Sequence, residues 1–249
     1  MLLSRRIANV LYKEFSSGKV VAELTDPFGR NHNQKGTLII YGQSTSRVCK
    51  VLWAAAEAGV KTERVEIPTT ELKQQKWYYD INPKLTVPCM RDGDLVVNES
   101  NSICSYICHT YGKHLYPSSP DQLALAWQWL EYGETTIAAT QTPIWFGVTK
   151  NMQYSTKTSP ASKDEIDLNV PKCEKAWKAF EQHLEKDKRP YVLGDSFTMA
   201  DFTVGIQASR LKKHDGFGFD ELNPKRFPYV EKWMHRLESR NAFQKYVSY

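Results

Sequence analysis

Apolar positions change their spacing partway along the chain. Between Gly36 and about Gly112, short runs of strand-like pattern alternate with helical ones. Thr37-Leu-Ile-Ile-Tyr41 is a compact apolar run and predicts a buried strand. Ser46 to Gly59 places Val48, Val51, Leu52 and Ala55 on one helical face, and Gly59 supplies a C-terminal stop. Lys61 to Ile67 alternates and predicts a second strand, parallel to the first by the crossover rule. Glu71 to Tyr79 is a short helical or irregular stretch that ends before Asn82-Pro83. Thr86 to Arg91 and Leu95 to Asn98 predict two strands joined by Asp92-Gly93-Asp94, a hairpin signal. Glu99 to Tyr111 returns to helix, with Ile103, Tyr106 and Ile107 at helical spacing.

Beyond Tyr116-Pro117-Ser-Ser-Pro120 the period is helical throughout. Asp121 to Lys150 predicts one long helical run carrying Leu123, Ala126, Trp127, Leu130, Ile137 and Ala138. Ser159-Pro160 breaks it. Lys163 to Lys186 predicts a further helix with Ile166, Val170, Trp177, Phe180 and Leu184 on a stripe. Met199 to Lys213 is another, and Pro228 to Tyr246 holds one or two more. The pattern divides the chain into an extension (1–35), an α/β part (36–112), a linker (113–120) and an all-helical part (121–249).

Composition narrows the function classes. Of 249 residues, 41% are hydrophobic and 24% charged, which is globular and not disordered. The net charge of +5 comes from Lys and Arg interleaved with acids, so a nucleic-acid partner is not expected. The longest apolar runs fall far short of the roughly 18 residues a membrane helix needs. Cysteines at 49, 89, 104, 108 and 173 are odd in number, with no Cys-x-x-Cys and no His pair at zinc spacing. Free thiols in a reducing, cytoplasmic setting follow, and no metal is expected. Arg5 and Arg6 with no acid before Glu14 leave mitochondrial targeting as the alternative location.

Three local features carry candidate chemistry. In Tyr41-Gly-Gln-Ser-Thr-Ser46-Arg-Val-Cys49, a hydroxyl-rich loop leads into a helix. Ser46 there is either a helix cap or, with the positive end of the helix, a group that stabilises an anion. Thr86-Val87-Pro88 stands at the start of a short strand, and Glu99-Ser100 opens a helix after a strand. Glu99-Ser100 reads as plain capping, or as a hydroxyl and main-chain N–H groups for a carboxylate beside an acid for an ammonium.

The order and spacing of these features resemble the glutathione transferase superfamily across roughly residues 36 to 249. Gly194-Asp195-Ser196-Phe197-Thr198-Met199-Ala200-Asp201 is similar to that family's folding signature, a reciprocal capping box between Thr198 and Asp201. The resemblance implies a thioredoxin-like N-terminal domain and an all-α C-terminal domain. Serine-type members of the theta and delta kind carry a serine three residues before a cysteine on the first helix. Here these are Ser46 and Cys49, which makes Ser46 the implied stabiliser of the glutathione thiolate, with Tyr41 and Ser44 as runners-up. A related bacterial-like class also fits. Val87, before a family cis-Pro88, would pair with the cysteinyl part of glutathione. Glu99 and Ser100 would hold the γ-glutamyl end, and Lys73 and Lys84 lie near the glycyl carboxylate.

The acceptor pocket would face the long helix, with Trp129, Tyr132, Thr136 and Trp145 as candidates. The implied activity is conjugation of glutathione, as co-substrate, to small electrophiles by a homodimer, since family members are usually homodimers. The competing readings are a non-catalytic binding or scaffold protein of the same fold, and a specialised glutathione-dependent dehalogenase or isomerase. Met1 to Lys35 is surplus to the family plan and is expected to pack on the surface or across a dimer interface.

Overall fold

The computed structural model describes residues 35–43, 47–149 and 160–247, which belong to one compact unit, Asn33–Tyr249. The N-terminal extension expected over 1–35 therefore lies, but for Lys35, outside the described residues.

Four strands form one sheet in the order β2-β1-β3-β4. They are β1 (Thr37–Tyr41), β2 (Lys61–Val65), β3 (Cys89–Asp92) and β4 (Leu95–Asn98). β2 is parallel to β1, as the crossover through α1 (Cys49–Glu57) requires, and β3 and β4 are antiparallel additions. Gly59 ends α1 as expected. At φ 69° it lets Val60 N–H reach Ala55 O (3.0 Å) while its own N–H bonds Ala56 O (3.2 Å). The β3–β4 turn uses Gly93 at φ 59°, and Asp92 pairs directly with Leu95.

β1 is buried on both faces, and its alternation sorts two cores. Leu38 and Ile40 face α1 and α3 (Ser100–Thr110) and join a core that continues through the helical part. Ile39 and Tyr41 face the other way, toward Tyr78 of α2 (Lys76–Ile81). One expected strand is shorter than its pattern. Residues 86–88 stay out of the ladder because Thr86 O is already taken by Tyr78 Oη (2.6 Å) and Asn82 Nδ2 (2.8 Å).

The helical part comprises α4 (Pro120–Glu131), α5 (Ala139–Thr149), α6 (Lys163–Lys186), α7 (Ala200–Lys213), α8 (Pro228–Glu238) and α9 (Asn241–Tyr246). The expected single run over 121–150 is two helices joined by a wider, π-type stretch, Tyr132–Ala138. The periodicity hides this break because the wide turns keep the chain helical. Gly133 lies there against α7, where a Cβ would come within 2.8 Å of Thr203 Cγ2.

Asp201, fully buried at the start of α7, accepts N–H bonds from Thr198 (3.0 Å), Val192 (3.0 Å) and the Trp233 indole (2.8 Å). Thr198 Oγ1 accepts from Ala200 N–H at 3.4 Å, and Asp201 N–H donates to the Thr198 main-chain oxygen at 3.1 Å. Burial pushes the Asp201 carboxyl up to about 6, against the pull of those donors.

Candidate functional site

A cleft of about 630 Å³ lies where the loop before β3, the start of α3 and helices α4, α5 and α7 meet. One end is made of main chain. The Val87-Pro88 bond is cis, and both residues line the cleft. Asn82, fully buried, braces this loop: besides the bond to Thr86 O, its Oδ1 accepts Lys84 N–H at 3.2 Å. Gly42 lets the β1–α1 connection come close, since a Cβ there would sit 2.6 Å from Val87 Cβ and the backbone is at φ 121°.

Glu99 and Ser100 stand next to this loop on the cleft wall. Glu99 is held at φ 69°, ψ 122°, a conformation that favours glycine, and its side chain does not cap α3. No acid occupies the first turn of α3 either, so its leading N–H groups meet no local carboxylate. Lys84 Nζ reaches Glu99 Oε1 at 3.2 Å on the exposed rim.

Beneath this end sits a polar seam that sequence pattern does not announce. Lys50 of α1 is 2% exposed. Its Nζ donates to Asn101 Oδ1 (2.6 Å) and Thr203 Oγ1 (3.2 Å), and lies 3.8 Å from Glu134 Oε2. Thr203 Oγ1 donates in turn to Asn101 Oδ1 (2.7 Å), and Arg47 pairs with Glu134 at 2.5 Å. Burial holds the Lys50 ammonium below the usual lysine range, and Glu134 opposes that shift. The π-type stretch after α4 is what delivers Glu134 to both cations.

The other end is aromatic. Trp127, Trp145 and Phe146 line it, together with Arg210. Of the acceptor-pocket residues expected from the sequence, Trp145 is there. Trp129 is not: its ring packs on Phe180 and His183 of α6. Tyr132 donates its hydroxyl to Ala176 O (3.0 Å), also on α6, and Thr136 lies outside the cleft wall. The cleft face of α4 and the π-type stretch after it is set by Trp127, Glu131 and Glu134, and Trp129 points to a different side of α4.

Tyr41 is fully buried with its ring 5.9 Å from Tyr78, on the α2 side of the sheet and away from the cleft. Strand alternation decides this, because Ile40 takes the α1 side. Lys73 is exposed and is not a cleft residue. Ser44 and Ser46 lie outside the described residues. All five cysteines are buried, and burial pushes Cys89, Cys104 and Cys173 up to about 12. Among the described residues no group of three His, Cys, Asp or Glu side chains is arranged to hold a metal.

A thioredoxin-like sheet domain joined to an all-helical domain, with a cleft walled by a cis-proline loop, defines the class of protein. Comparison with known proteins agrees. Residues 47–110 match the model for the glutathione S-transferase N-terminal domain, and residues 146–249 match that for its C-terminal domain. The chain belongs to the glutathione S-transferase superfamily.

A glutathione S-transferase of Hyoscyamus muticus is 29% identical over 175 residues, covering 69% of this chain and 78% of the relative. Glutathione S-transferase D6 of Drosophila melanogaster is 28% identical over 198 residues, covering 78% and 84%. The theta class enzyme of Xanthomonas axonopodis pv. citri, solved with glutathione bound, superposes with a TM-score of 0.71 at 27% identity, covering 85% and 97%.

Proposed function

We propose that the chain is a glutathione transferase of the serine type, joining the glutathione sulfur to small electrophiles. The observation that carries this is one cleft with a main-chain-built end at Val87, Glu99 and Ser100 and an aromatic end at Trp145. A tripeptide can lie along the first while its thiol faces the second. The Val87 main chain pairs with the cysteinyl part. The Ser100 hydroxyl and the leading N–H groups of α3 take the γ-glutamyl carboxylate, and Glu99 takes the ammonium.

Ser46 donates its hydroxyl hydrogen to the thiolate. A thiol with a pKa of about 8.5 is only about 3% ionised at pH 7, and lowering it to about 6.5 makes roughly three-quarters thiolate. That shift is worth about 2.7 kcal/mol, within reach of one charge-assisted hydrogen bond and a helix N-terminus. No covalent enzyme intermediate is required, since the attacking sulfur belongs to the co-substrate. Two copies of the chain assemble as a homodimer, in a reducing, cytoplasmic setting. Among the described residues no helix is long and apolar enough to cross a membrane.

Turnover of a chloronitroaromatic acceptor with glutathione tests the activity, and binding of glutathione without turnover of any electrophile would return the scaffold reading. Ser46→Ala is expected to lower kcat/KM by more than about tenfold, roughly 1.4 kcal/mol. A smaller loss moves the role to Ser44.

A further inference from the structure

A tripeptide has two ends, and the cleft does not meet them alike. With its cysteinyl part on Val87 and its γ-glutamyl end on Glu99 and Ser100, glutathione turns its glycyl end toward α2. On that side the cleft wall is Thr69, Leu72 and Leu85. Thr69 and Leu72 belong to the short 3₁₀ stretch before α2, and Leu85 follows α2. Leu72 and Leu85 join Val87 in the apolar cluster on this side of the sheet. The loop itself fixes Leu85: its N–H donates to Asn82 O at 2.9 Å, and its backbone is left-handed at φ 51°. Thr69 adds an enclosed hydroxyl oxygen without a hydrogen-bond partner among the described residues.

Both lysines of this stretch are turned elsewhere. Lys84 Nζ reaches Glu99 Oε1 at 3.2 Å, on the γ-glutamyl side. Lys73 is exposed and off the cleft wall. A carboxylate laid against two leucines gives up hydration and regains one hydrogen bond from an uncharged hydroxyl. An ester or amide in its place gives up less water for the same bond.

We propose, resting on the transferase reading, that the co-substrate is read as a γ-glutamylcysteine unit carrying an uncharged C-terminal group. Thiol peptides of this class with an esterified or amidated C-terminus serve at least as well as glutathione. Leu72 and Leu85 set the preference, and the Thr69 hydroxyl takes the carbonyl oxygen. The γ-glutamyl and cysteinyl contacts are the same for both forms, and so is the reacting sulfur. The preference therefore belongs to KM and leaves kcat alone.

The test is conjugation of a chloronitroaromatic acceptor by the full chain, with glutathione and with its glycyl ethyl ester. Wild type is expected to give the ester a kcat/KM between one and about tenfold that of the acid, through KM. An acid favoured by more than about threefold overturns the proposal. Leu85→Lys sets an ammonium on the wall, at a backbone position where leucine and lysine are strained alike. It is expected to reverse the preference to about fivefold in favour of the acid, and added salt should erode that reversal. A Leu85→Lys ratio equal to that of wild type places the carboxyl elsewhere and overturns the proposal. Should Leu85→Lys not fold, the wild-type ratio must stay flat with added salt. A ratio that moves toward the ester as salt rises shows a cation on the carboxylate and overturns it equally.

Calorimetry with S-methylglutathione and its glycyl ethyl ester, which carry no free thiol, separates this proposal from the reading beneath it. Ester binding at least as tight as acid binding, with no turnover of any electrophile, would sink the transferase reading and leave the subsite standing. Binding of the acid alone would sink the subsite whatever the turnover shows.

Discussion

The two ends of the cleft are built in different currencies. At the sheet end the groups that face a ligand are main chain, presented by Val87-Pro88 and by the start of α3, and side chains such as Asn82 serve to hold that main chain in place. At the helical end the backbone is regular, and the ligand-facing groups are side chains of Trp127, Trp145, Phe146 and Arg210. A backbone-made site tolerates changes in many side chains but almost none in conformation. A side-chain-made site changes its preference with single substitutions while the fold persists. The first suits a constant co-substrate, and the second a variable acceptor.

Gly42→Ala attacks the backbone-made end most directly. The new Cβ meets Val87 Cβ at 2.6 Å and Val48 Cγ2 at 3.0 Å, at a φ of 121°. Neither obstacle is a flexible chain end, so the loop or the cis-proline turn must move. A loss of about 3–4 kcal/mol in unfolding free energy is expected, from overpacking and backbone strain together. Glutathione affinity should fall with it, whereas a comparable change on the acceptor wall should spare that affinity. Denaturant unfolding combined with glutathione binding checks this, and a variant within about 1 kcal/mol of wild type would show that the approach of the two loops is not tight.

Lys50 ties α1 of the sheet part to the helical part, through Thr203 and Glu134, and its variants ask whether the seam is held by charge or by volume. Lys50→Ala removes a buried stem and one donor to Asn101, for an expected loss of about 3 kcal/mol. Lys50→Met keeps the volume and removes an ammonium whose burial is costly, and should recover to within about 1 kcal/mol of wild type. The pH dependence has a definite sign. Burial lowers the Lys50 pKa below its ordinary 10.5, so the folded state binds fewer protons than the unfolded one between those two values. Wild-type stability relative to Lys50→Met should therefore rise as pH climbs through the range just below 10.5. A methionine variant as unstable as the alanine one would assign the seam to the ammonium.

Much of this frame is legible in local pattern. Gly59 as a stop, the Gly93 turn, the Lys163–Lys186 helix and the box at Thr198 and Asp201 all rest on contacts between near neighbours in sequence, and the structure shows each. What local pattern misses depends on distant partners. Lys50 reads as surface because lysine usually is surface, yet Thr203, its partner, lies 153 residues away. Asn82 reads as turn punctuation, although its amide braces the cis-proline loop. Helical spacing groups Trp129, Tyr132 and Thr136 correctly as neighbours on α4 and beyond, but it does not say that α6 covers that face. Tyr41 ends a strand buried on both sides, and hydropathy alone cannot tell those sides apart.

The smallest stability effect belongs to Glu99, and it runs opposite in sign. At φ 69° the residue carries strain of about 1–3 kcal/mol that glycine would not. Against this, glycine loses roughly 0.5–1 kcal/mol more backbone entropy on folding. Glu99→Gly should thus be neutral or up to about 2.5 kcal/mol more stable than wild type, while glutathione affinity falls with the lost carboxylate. Glu99→Ala removes the same carboxylate and its exposed pairing with Lys84 but keeps the strain. The difference between the glycine and alanine variants therefore isolates the backbone term. A glycine variant less stable than the alanine one would mean that the conformation at Glu99 is relaxed. The constant end of the cleft would then owe its shape to the surrounding packing and not to a strained junction held in place.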